Sequence, residues 1–459
     1  MWRGGHSKGR LVVLIAAALL VAACVEAPEP TGGESSTTTS SDEPDGESST
    51  TASPGEPVTT GTACAIPEGE AFDAGAPVQL AQLGEVDGVT VSGAVYPHPD
   101  YEGNPWSQWG QGIVVDDGRF FSAIGDHRGV DGNSYIYEYD PDANALTMVG
   151  DVLSYVDHVP GTWGYGKIHS QMVPGPCGEA YFSTYWGTFR DIEFEGDYSG
   201  DVIFRLDPHG RTLRALGVPV EFHGQASLAA DPSRGVIYGE AVDPVSKDNG
   251  VDRGPFFAYD VVGEELVYVG PEEPHVGFRS VMVDADGLAY YSIGDAELQT
   301  YDPVTGESVT HDGRLPGEWL RAATAPGPDG SVYGVTVEPD RFLVMRPDGT
   351  IDELGEALGY TTSVALSPDG SSLFYMPGGH GNSGDWGSPL IMVDTETGAQ
   401  TVVVELDEMV EDALGYTVGG TYNLAVGPEG DTIFMGVNAG PVGSDTTFGE
   451  VILLLIEMQ

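Results

Sequence analysis

The sequence predicts an all-β fold, a seven-bladed β-propeller of four-stranded blades. The chain after Cys64 consists of short alternating apolar runs bounded by turn residues, with no convincing stretch of helical periodicity. Two apolar strands joined by a Gly-containing turn then recur seven times, at Gly118, Gly178, Gly235, Gly287, Gly330, Gly370 and Gly430. A third strand, an acidic turn and a fourth strand follow these pairs, and four strands in roughly 40–60 residues are typical of one propeller blade.

The individual strands follow in order from residue 113. In the first copy, 113–121, two apolar runs flank Asp-Asp-Gly, and the copies at 363–374 and 423–434 carry Ser-Pro-Asp-Gly and Gly-Pro-Glu-Gly turns. Third and fourth strands are predicted at 135–150, 202–216, 256–269, 298–309, 342–354 and 390–404.

The seventh blade needs a strand from the other end of the chain. It supplies a third strand at 451–457, and the sequence then ends. Residues 78–84 resemble the other outer strands, so we expect them to close the ring and remove an exposed sheet edge. A ring of six or eight blades and a β-sandwich array are the alternatives.

The first residues predict export and a lipid anchor. Arg3, Lys8 and Arg10 precede an apolar run at 11–23, which is the layout of a signal peptide and is too short to span a bilayer comfortably. Residues 21–24, Val-Ala-Ala-Cys, resemble the lipobox of bacterial lipoproteins. This resemblance implies acylation of Cys24, palmitate included, and a position on the outer face of a membrane in the cell envelope. An ordinary signal peptide with a coincidental cysteine is the alternative.

Composition then divides the chain into three parts. Residues 24–63 are rich in Ser, Thr, Pro and Glu and carry almost no large apolar side chain, so they are predicted to form a disordered tether. The signal peptide is therefore 1–23, the tether 24–63 and the propeller 64–459. If Cys24 is lipidated, Cys64 and Cys177 remain, and in an oxidising compartment we expect them to form a disulfide. Two inert buried thiols are the alternative.

The charge of the chain excludes some partners. With 71 acidic and 18 basic residues, the formal net charge is −53. Nucleic acid is excluded because phosphate binding needs the opposite sign, and contact with a membrane is expected only through the lipid anchor. We expect a monomer.

In its repeat, the chain resembles the broad superfamily of YVTN, NHL and quinoprotein-like propellers. The Asp-Pro and Asp-Gly turns, and third strands ending as in Tyr139-Asp140-Pro141, carry this resemblance over most of 78–459. It implies an architecture and does not determine a function.

Functional residues are expected where the first strands enter the channel. The loops between second and third strands lie on the same face, and they are long in blades one, two, three, six and seven but short in four and five, which predicts an asymmetric surface. At the entry ends of the first strands the sequence places His169, Gln171, His223, Gln225, Arg279, Arg321 and Tyr422. Two histidines and two arginines are unusual in so acidic a chain.

These residues give the chain a weak similarity to seven-bladed polysaccharide lyases, some of which hold a divalent metal with His and Gln. The similarity implies that His169 and His223 are acid–base groups or ligands of a metal such as Mn²⁺ or Ca²⁺, with Gln171 and Gln225 as further ligand-binding residues. Arg279 and Arg321 would pair with a substrate carboxylate, and Tyr422 would act as the acid. A third first-strand histidine is missing, and His127, His158 and His380 could complete a metal site only by folding inward from loops.

Aromatic side chains on the same loops suit stacking against sugar rings, although packing between blades explains some of them equally well. They are Trp106, Trp109, Trp163, Tyr165, Tyr185, Trp186 and Trp386. We therefore expect a propeller that binds a glycan or a small anionic ligand on its looped face. A lyase that cleaves uronate-containing chains by β-elimination, a scaffold for an envelope protein, and polar side chains that only hydrate the channel remain alternatives.

Overall fold

The fold was analysed on a computed structural model that describes residues 66–186, 198–243, 247–248, 251–275, 279 and 281–459. The predicted signal peptide, lipidated Cys24, the tether and Cys64 lie outside these residues, so the anchor and the Cys64–Cys177 bond stay predictions. None of the helices within the described ranges has the length and apolar character needed to cross a bilayer.

Seven antiparallel sheets form the blades of a propeller ring, as the repeat predicts. The strands of blade one are β5 (Ile113–Val114), β6 (Phe120–Gly125), β7 (Ser134–Asp140) and β8 (Ala145–Asp151). Those of blade two are β9 (Lys167–Ile168), β10 (Val173–Pro174), β11 (Ala180–Tyr185), β12 (Ile203–Asp207) and β13 (Thr212–Gly217). Those of blade three are β14 (Gly224–Asp231), β15 (Val236–Val242), β16 (Lys247–Asp248), β17 (Val251–Asp260) and β18 (Glu265–His275).

The remaining blades are more regular. The strands of blade four are β19 (Val281–Val283), β20 (Ala289–Gly294), β21 (Glu297–Asp302) and β22 (Glu307–Thr310). Those of blade five are β23 (Trp319–Ala323), β24 (Val332–Val337), β25 (Arg341–Met345) and β26 (Ile351–Glu356). Those of blade six are β27 (Val364–Leu366), β28 (Ser372–Tyr375), β29 (Pro389–Asp394) and β30 (Gln400–Glu405). Blade seven consists of β31 (Tyr416–Val426), β32 (Thr432–Pro441), β33 (Glu450–Met458), β4 (Val89–Val95) and β3 (Ala81–Val86).

The seven turn glycines identified in the sequence share one backbone conformation. Their φ angles lie between 69° and 87°, for example 83° at Gly118 and 82° at Gly430. A residue with a Cβ adopts this region only at a cost, so the recurrence of glycine marks a turn that joins first and second strands in every blade.

An N-terminal strand closes the ring, but it is not the one that the sequence pattern indicated. The strand that pairs with β33 is β4, whereas Val78–Gln79 (β2) pairs with β8 of blade one. The reason is burial, because Val91 is fully buried in β4 whereas β3 is largely exposed. Residues 78–84 were chosen because they end in Leu-Gly, as other outer strands do. The alternation of apolar and polar residues is clearer in β4, about ten residues later.

The segment before β4 lies along the outer edges of three successive blades. Glu70–Ala71 (β1) pairs with β13 of blade two, β2 pairs with blade one, and β3 adds a fifth strand to blade seven. We call residues 66–86 the N-terminal clasp.

In the part of the chain that the structure describes, helical structure is confined to short segments. They are the 3-10 turns Val152–Tyr155 and Ser383–Trp386 and the helix α1 (Asp407–Leu414), which ends at Gly415 with φ 77°. No sequence pattern indicates α1, because eight residues are too few to establish a helical period.

Candidate functional site

Irregularities in the innermost strands place the side chains that converge at the channel mouth. The ladder of β23 shifts register at Arg321 and that of β31 shifts at Tyr422, so both residues are bulged out of their strands. His169 lies in the gap between β9 and β10, where the innermost strand of blade two is interrupted. Bulges re-aim side chains, and here they direct them into the channel.

Trp109 lies at the centre of this group. Its ring is 4.6 Å from the Tyr422 ring, 6.3 Å from the His169 ring and 6.1 Å from the His380 ring, centre to centre. Lys167 Nζ lies 4.2 Å from the centre of the same indole. We define the mouth cluster as Trp109, Lys167, His169, Arg279, Arg321, Tyr360, His380 and Tyr422.

The arginines of the mouth cluster connect blades across the channel. Arg279 is fully buried and donates hydrogen bonds to the carbonyl oxygens of Thr362 and Trp109. Arg321 Nε donates to Tyr360 Oη at 2.7 Å, and its guanidinium lies 5.2 Å from the Tyr360 ring centre. Blades one, four, five and six therefore meet at this one layer.

The electrostatics of Arg279 are unusual for this protein. Burial, and then repulsion from Arg321, lower the pKa of Arg279 to about 9. Within the described ranges Arg279 forms no ion pair, although carboxylates pair with Arg119, Arg205, Arg211, Arg214, Arg234, Arg314, Arg341 and Arg346. Among the residues that the structure describes, the hydrogen-bond partners of this buried cation are carbonyl oxygens.

The same positive charge keeps the neighbouring histidines neutral. Burial holds the pKa of His169 well below its usual range, and Lys167, Arg279 and Arg321 add to the effect. Loss of solvation, with Arg321 and Lys167, also lowers the pKa of His380. Both rings are therefore uncharged at neutral pH.

A tyrosine–histidine hydrogen bond completes the cluster. Tyr422 Oη and His380 Nδ1 are 3.1 Å apart, and burial holds the phenol pKa well above its usual range. Tyr422 is 1 % exposed, while His380 lies at the surface above it. A molecule arriving from solvent would meet His380 first and the arginines last.

Not every predicted site residue belongs to this cluster. His223 Nδ1 lies 2.7 Å from the carbonyl oxygen of Glu221, and Gln225 Nε2 donates to the carbonyl of His223. Gln171 Oε1 accepts from the Leu228 amide at 3.2 Å and lines the far half of the channel. Trp186 stacks on Tyr185 at 4.0 Å, at the edge of the mouth cluster.

Two of the three loop histidines do fold inward. His380 joins the mouth cluster, and the His127 ring centre lies 6.0 Å from that of Trp109. His158 instead lies 2.9 Å from Asp131 on the side of blade one. Lys167 and Tyr360 were missed by sequence reasoning, because no local pattern marks a side chain whose role depends on a bulge in another blade.

The expectation that His169 and His223 ligate a divalent metal stays a prediction. Among the described residues, the groups of three or more potential ligands comprise only Asp116, Asp117 and His209. These three are exposed on the face of the tight turns, and Asp117 already pairs with Arg119 at 2.6 Å.

A polar bridge closes the channel below the mouth. Gln111 Nε2 donates to the carbonyl oxygens of Leu424 at 2.9 Å and Val364 at 3.3 Å. Beneath it a cavity of about 460 Å³, lined mainly by apolar side chains of the inner strands, opens on the opposite face.

Comparisons with known proteins show the fold and no family. No family model and no curated protein matches the sequence. Among solved structures, the WD40 repeats of RRP9 match with a TM-score of 0.50 at 10% identity, over 83% of this chain and 100% of that one. A streptogramin B lyase matches with a TM-score of 0.48 at 9% identity, over 80% and 97% of the two chains. An inactive virginiamycin B lyase from Staphylococcus aureus, crystallised with quinupristin, matches with a TM-score of 0.47 at 10% identity, over 80% and 99%. Likeness at this level of identity is architectural.

Proposed function

We propose that the protein binds a small anionic ligand, such as the carboxylate of an acidic sugar, at the mouth cluster on its looped face. The observation that carries the proposal is Arg279, a fully buried guanidinium whose hydrogen bonds within the described ranges go only to carbonyl oxygens. A buried cation is costly unless an opposite charge compensates it. An anion above the cluster would supply that charge.

The aromatic groups around the cations support a ligand with a ring or another apolar face. Tyr360 is half-buried next to Arg321, and the buried rings of Trp109 and Tyr422 lie behind it next to Lys167. A sugar acid combines an apolar ring face with a carboxylate, so it matches both components of the site.

The test compares two sugars that differ only in the group at C6, which is a carboxylate in galacturonate and a hydroxymethyl in galactose. Galacturonate is expected to bind the protein and galactose to bind at least about tenfold more weakly at this site, measured by titration calorimetry at low salt. Arg279→Gln is expected to abolish the preference for galacturonate, while Arg314→Gln, at an exposed ion pair, keeps it. Arg279 also forms hydrogen bonds to other blades, so its replacement can destabilise the fold. Lys167→Gln, which removes a different cation of the mouth cluster, therefore serves as a second variant.

Equal binding of the two sugars, or a preference unaffected by both variants, would contradict the proposal. A melting curve for each variant establishes that the protein is folded before binding is measured.

A second candidate function, β-elimination on uronate-containing chains, is favoured by the pairing of Tyr422 with His380. In such a reaction a base takes the proton next to the carboxylate, the C–H electrons form a C=C bond, and the glycosidic oxygen leaves with a proton from an acid. His380 is neutral and accessible, so it suits the base, and Tyr422 suits the acid. Arg279 and Arg321 would stabilise the developing enediolate charge.

This reaction produces an unsaturated sugar end that absorbs ultraviolet light. Incubation with polygalacturonate or alginate is expected to raise the absorbance, and Tyr422→Phe to lower the rate by about 10²-fold or more. Absence of any absorbance change, with or without Mn²⁺ or Ca²⁺, would exclude the lyase on these polymers and leave the binding proposal standing.

Export and lipid anchoring through Cys24 also remain proposals, supported by the apolar run at 11–23 and the cysteine that follows it. Cys24→Ala is expected to move the protein from the membrane fraction to the soluble one. Retention of the variant in membranes would contradict acylation at that residue.

A further inference from the structure

A second cavity lies on the flank of the propeller, away from the mouth cluster. Its volume is about 760 Å³, and it separates the segment between blades one and two from the outer strand of blade two. Its walls include Tyr155, Asp157, Trp163 and Tyr165 from that segment, with Ser199 and Leu216 opposite. We call it the side cleft.

The side cleft is built from an ordered segment. Asp151 caps the turn Val152–Tyr155 by accepting from the Ser154 amide. Asp131 accepts from the Gly161 amide at 2.7 Å and lies 2.9 Å from His158 Nε2. Long connections that are held in this way tend to be functional, since a preorganised wall loses little entropy when a ligand binds.

The chemistry of the lining combines aromatic faces with groups that form hydrogen bonds. Tyr155, Trp163 and Tyr165 are all half-buried, so each ring keeps part of its surface available. Asp157 is exposed, and no described residue pairs with it. Rings of this kind pack against the C–H face of a sugar, and carboxylates accept hydrogen bonds from its hydroxyl groups.

The charge of the cleft selects among sugars. Asp157 and Glu70 line it, and no Lys or Arg is found among the described residues of its lining. Acidic sugars are therefore repelled, in contrast to the mouth cluster, where the cations gather. The volume lies within the usual range for ligand pockets and suits two or three sugar units.

We infer that the side cleft binds a neutral oligosaccharide, with Trp163 as its stacking platform and Asp157 as a hydrogen-bond acceptor. This site is separate from the anion site at the mouth cluster, and neither depends on the other. The chain between them is short, since only Gly166 lies between Tyr165 of the cleft and Lys167 of the mouth. One glycan with neutral and acidic units could occupy both sites.

The test uses maltotriose, cellotriose and triacetylchitotriose as probes, each titrated into the protein up to millimolar concentrations. At least one is expected to bind the wild type, and Trp163→Ala to weaken it by about tenfold or more, with Trp163→Phe in between. Asp157→Ala, at an exposed position that the fold does not need, is expected to weaken binding several-fold.

Matched controls are available in one loop of blade six. Trp386 is half-buried and Asp385 is exposed, and neither lines the cleft, so Trp386→Ala and Asp385→Ala should bind as the wild type does. Failure of all three trisaccharides to bind would overturn the inference. Binding that survives both Trp163→Ala and Asp157→Ala in folded protein would overturn it as well.

The two proposed sites can fail separately. Trp163→Ala should leave galacturonate binding unchanged, and Arg279→Gln should leave binding of the neutral trisaccharide unchanged. Loss of both ligands in either variant would show that the two sites are not independent and would overturn the inference.

Discussion

At the scale of single residues, the most unusual carboxylate is Asp201. It is fully buried, with Tyr198 Oη at 2.5 Å and Thr184 Oγ1 at 2.7 Å. Burial raises its pKa to about 7, and the hydrogen bonds from Tyr198 and Thr184 only partly counter this. The folded protein therefore favours the protonated carboxyl, which is the reverse of the behaviour of a carboxylate in an ion pair.

This pKa predicts a dependence of stability on pH. Because the folded pKa lies above the unfolded value, the contribution of Asp201 is fully present below about pH 4 and is lost as the pH rises through about 7. Asp201→Asn keeps a neutral group at every pH. The melting temperature of the variant, relative to that of the wild type, should therefore increase between pH 5 and pH 8.

Asp385→Asn, at an exposed position, gives the baseline for this comparison. Parallel melting curves for wild type and Asp201→Asn across the range would contradict the assignment.

Glu138 is a buried carboxylate that pairs with two arginines. Its Oε1 lies 2.6 Å from Arg119 and 2.7 Å from Arg211, so one side chain connects the turns of blades one and two. The side chain is 5% exposed. Removing its charge leaves two cations without their shared partner.

Glu138→Gln is expected to lower the free energy of unfolding by about 2–4 kcal/mol, because a partly buried ion pair is costly to break from one side. Glu297→Gln, which breaks the exposed pair with Arg314, should cost about 0–1 kcal/mol. Denaturant titrations of both variants check this contrast, and similar losses in the two would contradict it.

At the scale of elements, ring closure and the N-terminal clasp have separable roles. β4 fills the position between β33 and β3, where Val91 is fully buried. β1 and β2 only extend the edges of complete blades, by two residue pairs each. β4 is therefore part of the core, whereas β1 and β2 lie on the surface of the ring.

Two deletions test this difference. Removal of 66–79 should give a folded monomer with a lower melting temperature, since edge pairing, the contact of Arg205 with the Pro67 carbonyl and the packing of Phe72 on Phe121 are lost while every blade keeps its four strands. Removal of 66–95 also takes away β4 and exposes Ile452 and Leu454 along an unpaired edge, so aggregation is expected. Size-exclusion chromatography separates the outcomes, and a monomeric product of the longer deletion would contradict the assignment of β4.

The elements also show where sequence reasoning works and where it stops. The turn at Gly118 repeats because its backbone requires glycine, so local chemistry revealed all seven blades. The closing strand was assigned wrongly because β4 and β33 lie about 360 residues apart in the chain. Their contact, and the burial that it causes, cannot be recognised from ten consecutive residues. The mouth residues Arg321 and Tyr422 were recognised by type and position, but their convergence depends on bulges that no residue pattern marks.

At the scale of the whole molecule, the large negative net charge destabilises the folded state and also disfavours the binding of an anionic ligand. A formal charge of −53 repels itself most strongly in the compact state, and it repels anions at long range even though the mouth cluster is locally positive. Selection of an acidic ligand would therefore depend on short-range contacts that overcome an unfavourable field. The proposed neutral-sugar cleft meets no such barrier.

Salt should therefore stabilise this protein. The Debye length falls from about 30 Å at 0.01 M to about 10 Å at 0.1 M, so added salt screens repulsion between distant carboxylates and leaves buried pairs such as Glu138–Arg119 nearly unchanged. The total repulsion among 71 acidic residues exceeds the attraction within the few exposed ion pairs that salt weakens. The melting temperature should therefore rise continuously with NaCl over this range.

KCl should give the same curve, because screening depends on ionic strength and not on the identity of the cation. A larger rise in MgCl₂ at equal ionic strength would indicate specific cation binding, and a melting temperature that stays flat or falls in NaCl would show that repulsion does not limit the stability of the fold.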